Sequence, residues 1–103
     1  MLIINTTYHV SNSVEDRWKK WVKTEYVPSV IKSSILINPR FHRVYVENEE
    51  DSNTYALQFE VANLDKMEYW FEHYGKELNA MTSDLFHEDV LGFTTVMELI
   101  DLD

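Results

Sequence analysis

Residues 2 to 10, LIINTTYHV, alternate along the chain. Leu2, Ile4, Thr6, Tyr8 and Val10 fall on one side, and Ile3, Asn5, Thr7 and His9 on the other. A period of two predicts a half-buried strand. Ser13 then stands where a helix N-cap belongs, with Asp16 at N3, and Glu15 and Asp16 suit the positive end of a helix dipole. The pattern predicts a first helix from Val14 to about Tyr26. Val14, Trp18, Trp21 and Val22 share an arc of about 100°, and Arg17, Lys19, Lys20 and Lys23 lie outside it. Pro28 has no amide donor and disfavours helical geometry at Val27, so the helix is expected to end or kink there.

Residues 35–46, ILINPRFHRVYV, predict a long strand broken at Pro39, and ENEEDSN after it reads as an acidic turn. TYALQFEV, residues 54–61, alternates again, with Tyr55, Leu57, Phe59 and Val61 on one face. Asn63 is placed to cap a second helix. Its apolar positions Leu64, Met67, Phe71, Tyr74, Leu78 and Met81 follow one another at helical spacing. Gly75 interrupts this helix near its inward side, where close approach of another backbone is the expected reason. LGFTTVMELI, residues 91–100, closes the chain as a strand.

Strand, helix, strand, strand, helix, strand is the order of an α+β, ferredoxin-like βαββαβ unit: a four-stranded antiparallel sheet with two helices on one face. A single such domain is expected over residues 1–103. The strands read as apolar on both sides, so the face without helices would expose a larger patch than monomers carry. Two sheets pairing face to face remove it, which predicts a homodimer closed as a dimeric α+β barrel.

Composition narrows the function classes. The net charge is −9, and it is unevenly spread. Residues 1–46 hold seven Lys/Arg against three Asp/Glu, and residues 47–103 hold two against fifteen. Phosphate backbones would repel such a chain, so no nucleic-acid partner is expected. There are no cysteines, which removes disulfides, thiolate nucleophiles and cysteine metal sites. No basic-then-apolar leader opens the chain, and no apolar run nears the roughly 20 residues of a membrane span. A cytoplasmic protein without a membrane partner is the expectation.

The chain resembles a family of short bacterial proteins, a domain of unknown function in the dimeric α+β barrel superfamily. The resemblance rests on Trp18 and Trp21 on the first helix, then Tyr26-Val27-Pro28, Thr54-Tyr55, and Phe93 and Glu98 on the last strand. It departs at Tyr26 and Thr82, where the family pattern has histidine, and at Thr94, where it has arginine. If the family uses a catalytic histidine or an anion-binding arginine at those positions, this chain lacks it. The superfamily holds cofactor-free oxygenases, haem-degrading enzymes, dehydratases and ligand-binding regulatory domains, so the resemblance leaves function open.

Chemistry-bearing residues are few. Trp18 and Trp21 read first as core. They also read as walls of a helix–sheet cleft, with Phe71 beside them and Glu25, Tyr26 and Asn5 as its polar groups. Glu25 is the catalytic candidate. If the helix holds to residue 26, it faces the sheet one turn beyond Trp21, partly desolvated. If the helix frays before Pro28, it faces water. His73 and Glu77 are four apart, but two ligands without a third make no metal site, and none is expected, nor any cofactor. No phosphate loop or nucleophile elbow is present. Two functions remain: a non-catalytic homodimeric domain that binds a small apolar or aromatic ligand or a protein, or a cofactor-independent oxygenase-like or isomerase-like enzyme acting on a small aromatic substrate.

Overall fold

A computed structural model describes residues 1–47 and 49–103, so residue 48 of the expected acidic turn lies outside the described residues. The strands are β1 (Leu2–Ser11), β2 (Ile37–Val44), β3 (Ser52–Val61) and β4 (Val90–Glu98). They form one antiparallel sheet in the order β2-β3-β1-β4. The first helix consists of α1 (Glu15–Trp21), a π turn (Val22–Tyr26) and α2 (Val27–Ile31). The second consists of α3 (Leu64–Trp70), a π turn (Phe71–Gly75) and α4 (Lys76–Phe86). This is the ferredoxin-like βαββαβ arrangement.

The alternation read from the sequence is the pleat of this sheet. Tyr8 pairs with Tyr55, Thr6 with Leu57 and Ile4 with Phe59, and these six face the helices. Asn5, Thr7 and His9 lie on the opposite, uncovered face, because successive side chains point to opposite sides. That face is more mixed than expected. Leu91, Phe93 and Met97 make an exposed apolar stripe along β4, while Asn5, Thr7, Gln58 and Glu60 lie beside it. At Pro39 the expected break is a register shift between Ile37 and Arg40, with Asn38 in the left-handed region at φ 53°.

The first helix does not stop at Pro28; it runs on to Ile31. Its buried residues are Trp18, Val22, Tyr26 and Val30, each four apart. In a plain α-helix a step of four overshoots one turn by about 40°, so three steps would swing Val30 well off the sheet. The π turn, closed by the Val27 N–H on the Val22 carbonyl, takes up the drift. It also widens the helix just ahead of Pro28, where a proline ring would otherwise press on the carbonyl four residues back. The expected cap at Ser13 is absent: Asn12–Val14 is a 3-10 turn, and Val14, not Ser13, precedes α1. The expected cap of the second helix is present, with Asn63 Oδ1 accepting from the Lys66 N–H at 2.9 Å.

Trp18 is fully buried at the centre of the core. Its ring lies 5.1 Å from Tyr8, 5.3 Å from Tyr55 and 5.6 Å from Phe41, centroid to centroid, all tilted or edge-on. The second helix carries a π turn as well. Met67, Trp70, Leu78 and Phe86 turn inward, while Phe71, Tyr74 and Met81 are each at least 40% exposed. The apolar spacing identified the helix and, in Met67 and Leu78, part of its buried side.

Gly75 is explained by a side chain, not by another backbone. A Cβ there would stand 2.7 Å from the Trp70 ring and 2.9 Å from Phe71. Gly75→Ala normally gains about 1 kcal/mol in a helix. Here it is expected to lose about 1–2 kcal/mol through overpacking, read as a lower urea midpoint. An unchanged or raised midpoint would show that Trp70 does not pack on this turn.

A polar cluster fastens the start of the first helix to the sheet edge. The Tyr55 hydroxyl donates to Glu15 Oε2 at 2.6 Å, the Asn53 amide donates to the same oxygen, and Arg43 donates to Asn53 Oδ1 at 2.7 Å. The Tyr55 hydrogen bond above all, helped by Asn53, Lys19 and Arg43, holds the Glu15 carboxyl below its ordinary range. Burial and that same carboxylate push Tyr55 up to about 12. A carboxylate held low stabilises the fold above its unfolded value and loses that contribution as pH falls through the folded one. A phenol held high stabilises below its unfolded value and loses that contribution as pH rises through the folded one. Tyr55→Phe is therefore expected to cost about 1 kcal/mol at neutral pH, the low end for a charged partner because Glu15 is partly exposed. In chemical unfolding across pH, the gap between the two proteins should hold from pH 6 to 9, narrow below the ordinary carboxyl value of 4.5 and narrow above the phenol value of 10.0.

Candidate functional site

The helix-facing side of the sheet is not filled everywhere. Trp18 plugs it over β1 and β3. Beyond that, between the sheet and the second helix, lies a cavity of about 480 Å³. That volume lies within the range of small-ligand sites. Its floor is Ile4, Thr6 and Tyr8 of β1, Leu57 and Phe59 of β3, and Gly92, Thr94 and Val96 of β4. The second helix supplies Met67, Glu68, Trp70, Phe71, Glu72, Asn79, Thr82 and Ser83, and Tyr26 and Leu36 close one side.

Each polar group of the floor has a local cause. Thr6 and Thr94 are directly paired across β1 and β4, and their hydroxyls meet at 2.9 Å. Tyr8 pairs with Gly92, and its ring lies flat over it: a Cβ at Gly92 would stand 2.9 Å from two ring carbons. The missing side chain is what lets the Tyr8 phenol lie there. Burial, and next the neighbouring Tyr26, push the Tyr8 phenol well above its ordinary value. Burial raises Tyr26 as well. Both are therefore neutral hydroxyls at pH 7, able to donate and to accept, and neither is a base. Thr82 turns its hydroxyl back to the Leu78 carbonyl at 3.0 Å. The Trp70 indole N–H is buried with no hydrogen-bond partner among the described residues.

The residues expected to form a cleft are only partly brought together. Tyr26 and Phe71 line the cavity. Trp18 is core, and Trp21 bridges the two helices, 5.3 Å from Tyr26 and 5.5 Å from Phe86. Asn5 is on the far face of the sheet, set there by the strand pleat, and its amide donates to Thr7 Oγ1 at 3.3 Å. Glu25 is exposed, not held against the tryptophans. The wheel that placed it inward assumed α-helical geometry throughout; the π turn rotates Tyr26 into the inner position and carries Glu25 out. Tyr8, Thr6, Thr94 and Gly92 were missed as a group. Their signal was there, since they share the helix-facing register of two strands, but only the pairing of β1 with β4 joins them.

Three or more metal-binding side chains do not cluster anywhere among the described residues. Among the described residues, no helix is long and apolar enough to cross a membrane.

A protein-family model described as a domain of unknown function, DUF4286, matches residues 1–100. No curated protein matches the chain. Among solved structures, an antibiotic biosynthesis monooxygenase superposes with a TM-score of 0.69 at 12% identity, over 98% of this chain and 100% of that one. A variant of MhuD with two manganese protoporphyrin IX bound per active site gives 0.68 at 13% identity, over 100% and 99%. A dimeric ferredoxin-like protein from an uncultured marine organism gives 0.65 at 14% identity, over 96% and 95%. Likeness at such identities shows the fold alone, the ferredoxin-like arrangement described above.

Because Glu25 points to water, Glu25→Gln is expected to change stability by less than about 0.5 kcal/mol. Thermal melts of both proteins at pH 5 and pH 8 check this. A gain at pH 8 that vanishes at pH 5 would place the carboxylate in a buried site after all.

Proposed function

From the chain's membership of the DUF4286 family, we propose that it is a homodimeric ligand-binding domain holding one small, largely apolar molecule per chain between sheet and second helix. The observation that carries this reading is the 480 Å³ cavity, walled by aromatic and aliphatic side chains above a floor of hydroxyls. Its single-domain extent over residues 1–103 and a cytoplasmic setting belong to the same proposal.

Binding is favoured over catalysis by what the walls hold. No histidine lines the cavity, its phenols stay protonated, and its two carboxylates, Glu68 and Glu72, stand on exposed positions of the second helix. No general base is thus desolvated against the floor. A porphyrin, as bound by the MhuD variant, does not fit these residues either. The lining has no histidine or cysteine to reach a metal and no Lys or Arg to meet the ring's carboxylates. The size of the cavity and the monooxygenase-like fold support a second reading. In it the chain is a cofactor-independent enzyme on a small aromatic substrate, with Tyr8 and Thr94 as hydrogen-bond donors to developing negative charge.

Naphthylmethanol, a neutral flat probe, is expected to bind saturably at one per chain and to change tryptophan fluorescence through Trp70. Ser83→Trp, which adds bulk from an exposed position of the wall, should weaken it by about tenfold or more. Absence of saturable binding up to about millimolar probe would end the reading.

Dimerisation is supported by the apolar stripe on β4 and by the dimeric relative of the same fold. Sedimentation equilibrium should give a mass near twice 12.3 kDa at micromolar concentration, and Phe93→Glu should lower it toward one chain. A wild-type chain that sediments as a stable monomer would refute the pairing of sheets.

A further inference from the structure

The charges around the cavity are one-sided. Among the described residues, two carboxylates line it, Glu68 and Glu72, and no Lys, Arg or His does. Glu72 is engaged: Lys76 Nζ lies 2.8 Å from its Oε2. Glu68, one turn earlier, has no ion pair and no side-chain hydrogen bond among the described residues. Between and beside them stand the Trp70 and Phe71 rings, with Tyr26 and Phe59 across the cavity. Ring faces attract cations, and they do so more strongly where water is thinned.

An anionic ligand would be opposed on every count. It would lose hydration beside two carboxylates, only one of them paired with a cation, on a helix within the half of the chain that carries fifteen Asp/Glu against two Lys/Arg. A neutral ligand would leave Glu68 as it is. A cation alone gains from the carboxylate, the rings and the surrounding field together.

Resting on the reading of the cavity as a ligand site, we propose that its ligand is a cationic amine on a flat apolar body, with the ammonium group received by Glu68. The apolar body lies against Phe59, Phe71 and Trp70. A hydroxyl or carbonyl at its far end would meet Thr6, Tyr8 and Thr94, which both donate and accept.

Three probes with one ring system separate the possibilities: naphthylmethylamine, naphthylmethanol and naphthoate, titrated calorimetrically into the full chain. The amine should bind about tenfold or more tighter than naphthoate, with the alcohol between them. Glu68→Gln should bring amine and naphthoate to within about threefold, whereas Glu77→Gln, an equal charge change outside the cavity lining, should keep the full ratio. Both sites are exposed, and circular dichroism would verify that each variant folds. If naphthoate binds as tightly as the amine, or if Glu68→Gln leaves the ratio intact, the amine assignment is wrong while the cavity stays a ligand site. If none of the three binds, the ligand-site reading fails, and this inference fails with it.

Discussion

The burial of Trp18 is the constraint on which the rest of the structure depends. A fully buried indole must be surrounded, and Tyr8, Phe41 and Tyr55 surround it from three adjacent strands. That packing seats the first helix over one half of the sheet. To keep the helix seated, residues four apart must go on pointing inward, and an α-helix cannot do that over three steps. The π turn is the local cost of the long contact, and it brings Tyr26 to the sheet in place of Glu25.

The cavity follows from the same placement. With the first helix committed to Trp18, the second must cover β1 and β4, and Trp70 lies inward against Gly75 of the second π turn. Large side chains then stand at the edges of that half, while its floor carries Thr6, Thr94 and Gly92. Small residues on a floor beneath large walls leave space. Tyr8 belongs to both halves: one side of its ring meets Trp18, and its position over Gly92 puts its hydroxyl among the lining groups. Core packing and candidate site are therefore coupled through one tyrosine. The likeness to an antibiotic biosynthesis monooxygenase, at 12% identity, shows the fold alone.

Much of the fold was legible in residue order alone. Strand alternation in β1 and β3 assigned Tyr8, Tyr55, Leu57 and Phe59 to one face, because the pleat has a period of two whatever lies above it. The spacing in residues 64–81 marked a helix, and Asn63 marked its start. Acidic excess and the absence of cysteine are properties of composition and needed no coordinates. Helix faces were another matter. Glu25 was placed by counting 100° per residue, and the π turn Val22–Tyr26 breaks that count where Glu25 stands. Whether a helix contains such a turn is decided by what it must touch on the sheet. The site itself was hidden for a related reason: Thr6 and Thr94 are 88 residues apart, and only the pairing of first and last strands makes them neighbours. The sequence by itself determined the elements, their order and the alternation of the strands, which are local consequences of backbone geometry. The tertiary structure alone decided how the buried side turns along each helix and where space is left, since both depend on contacts between segments distant in the chain.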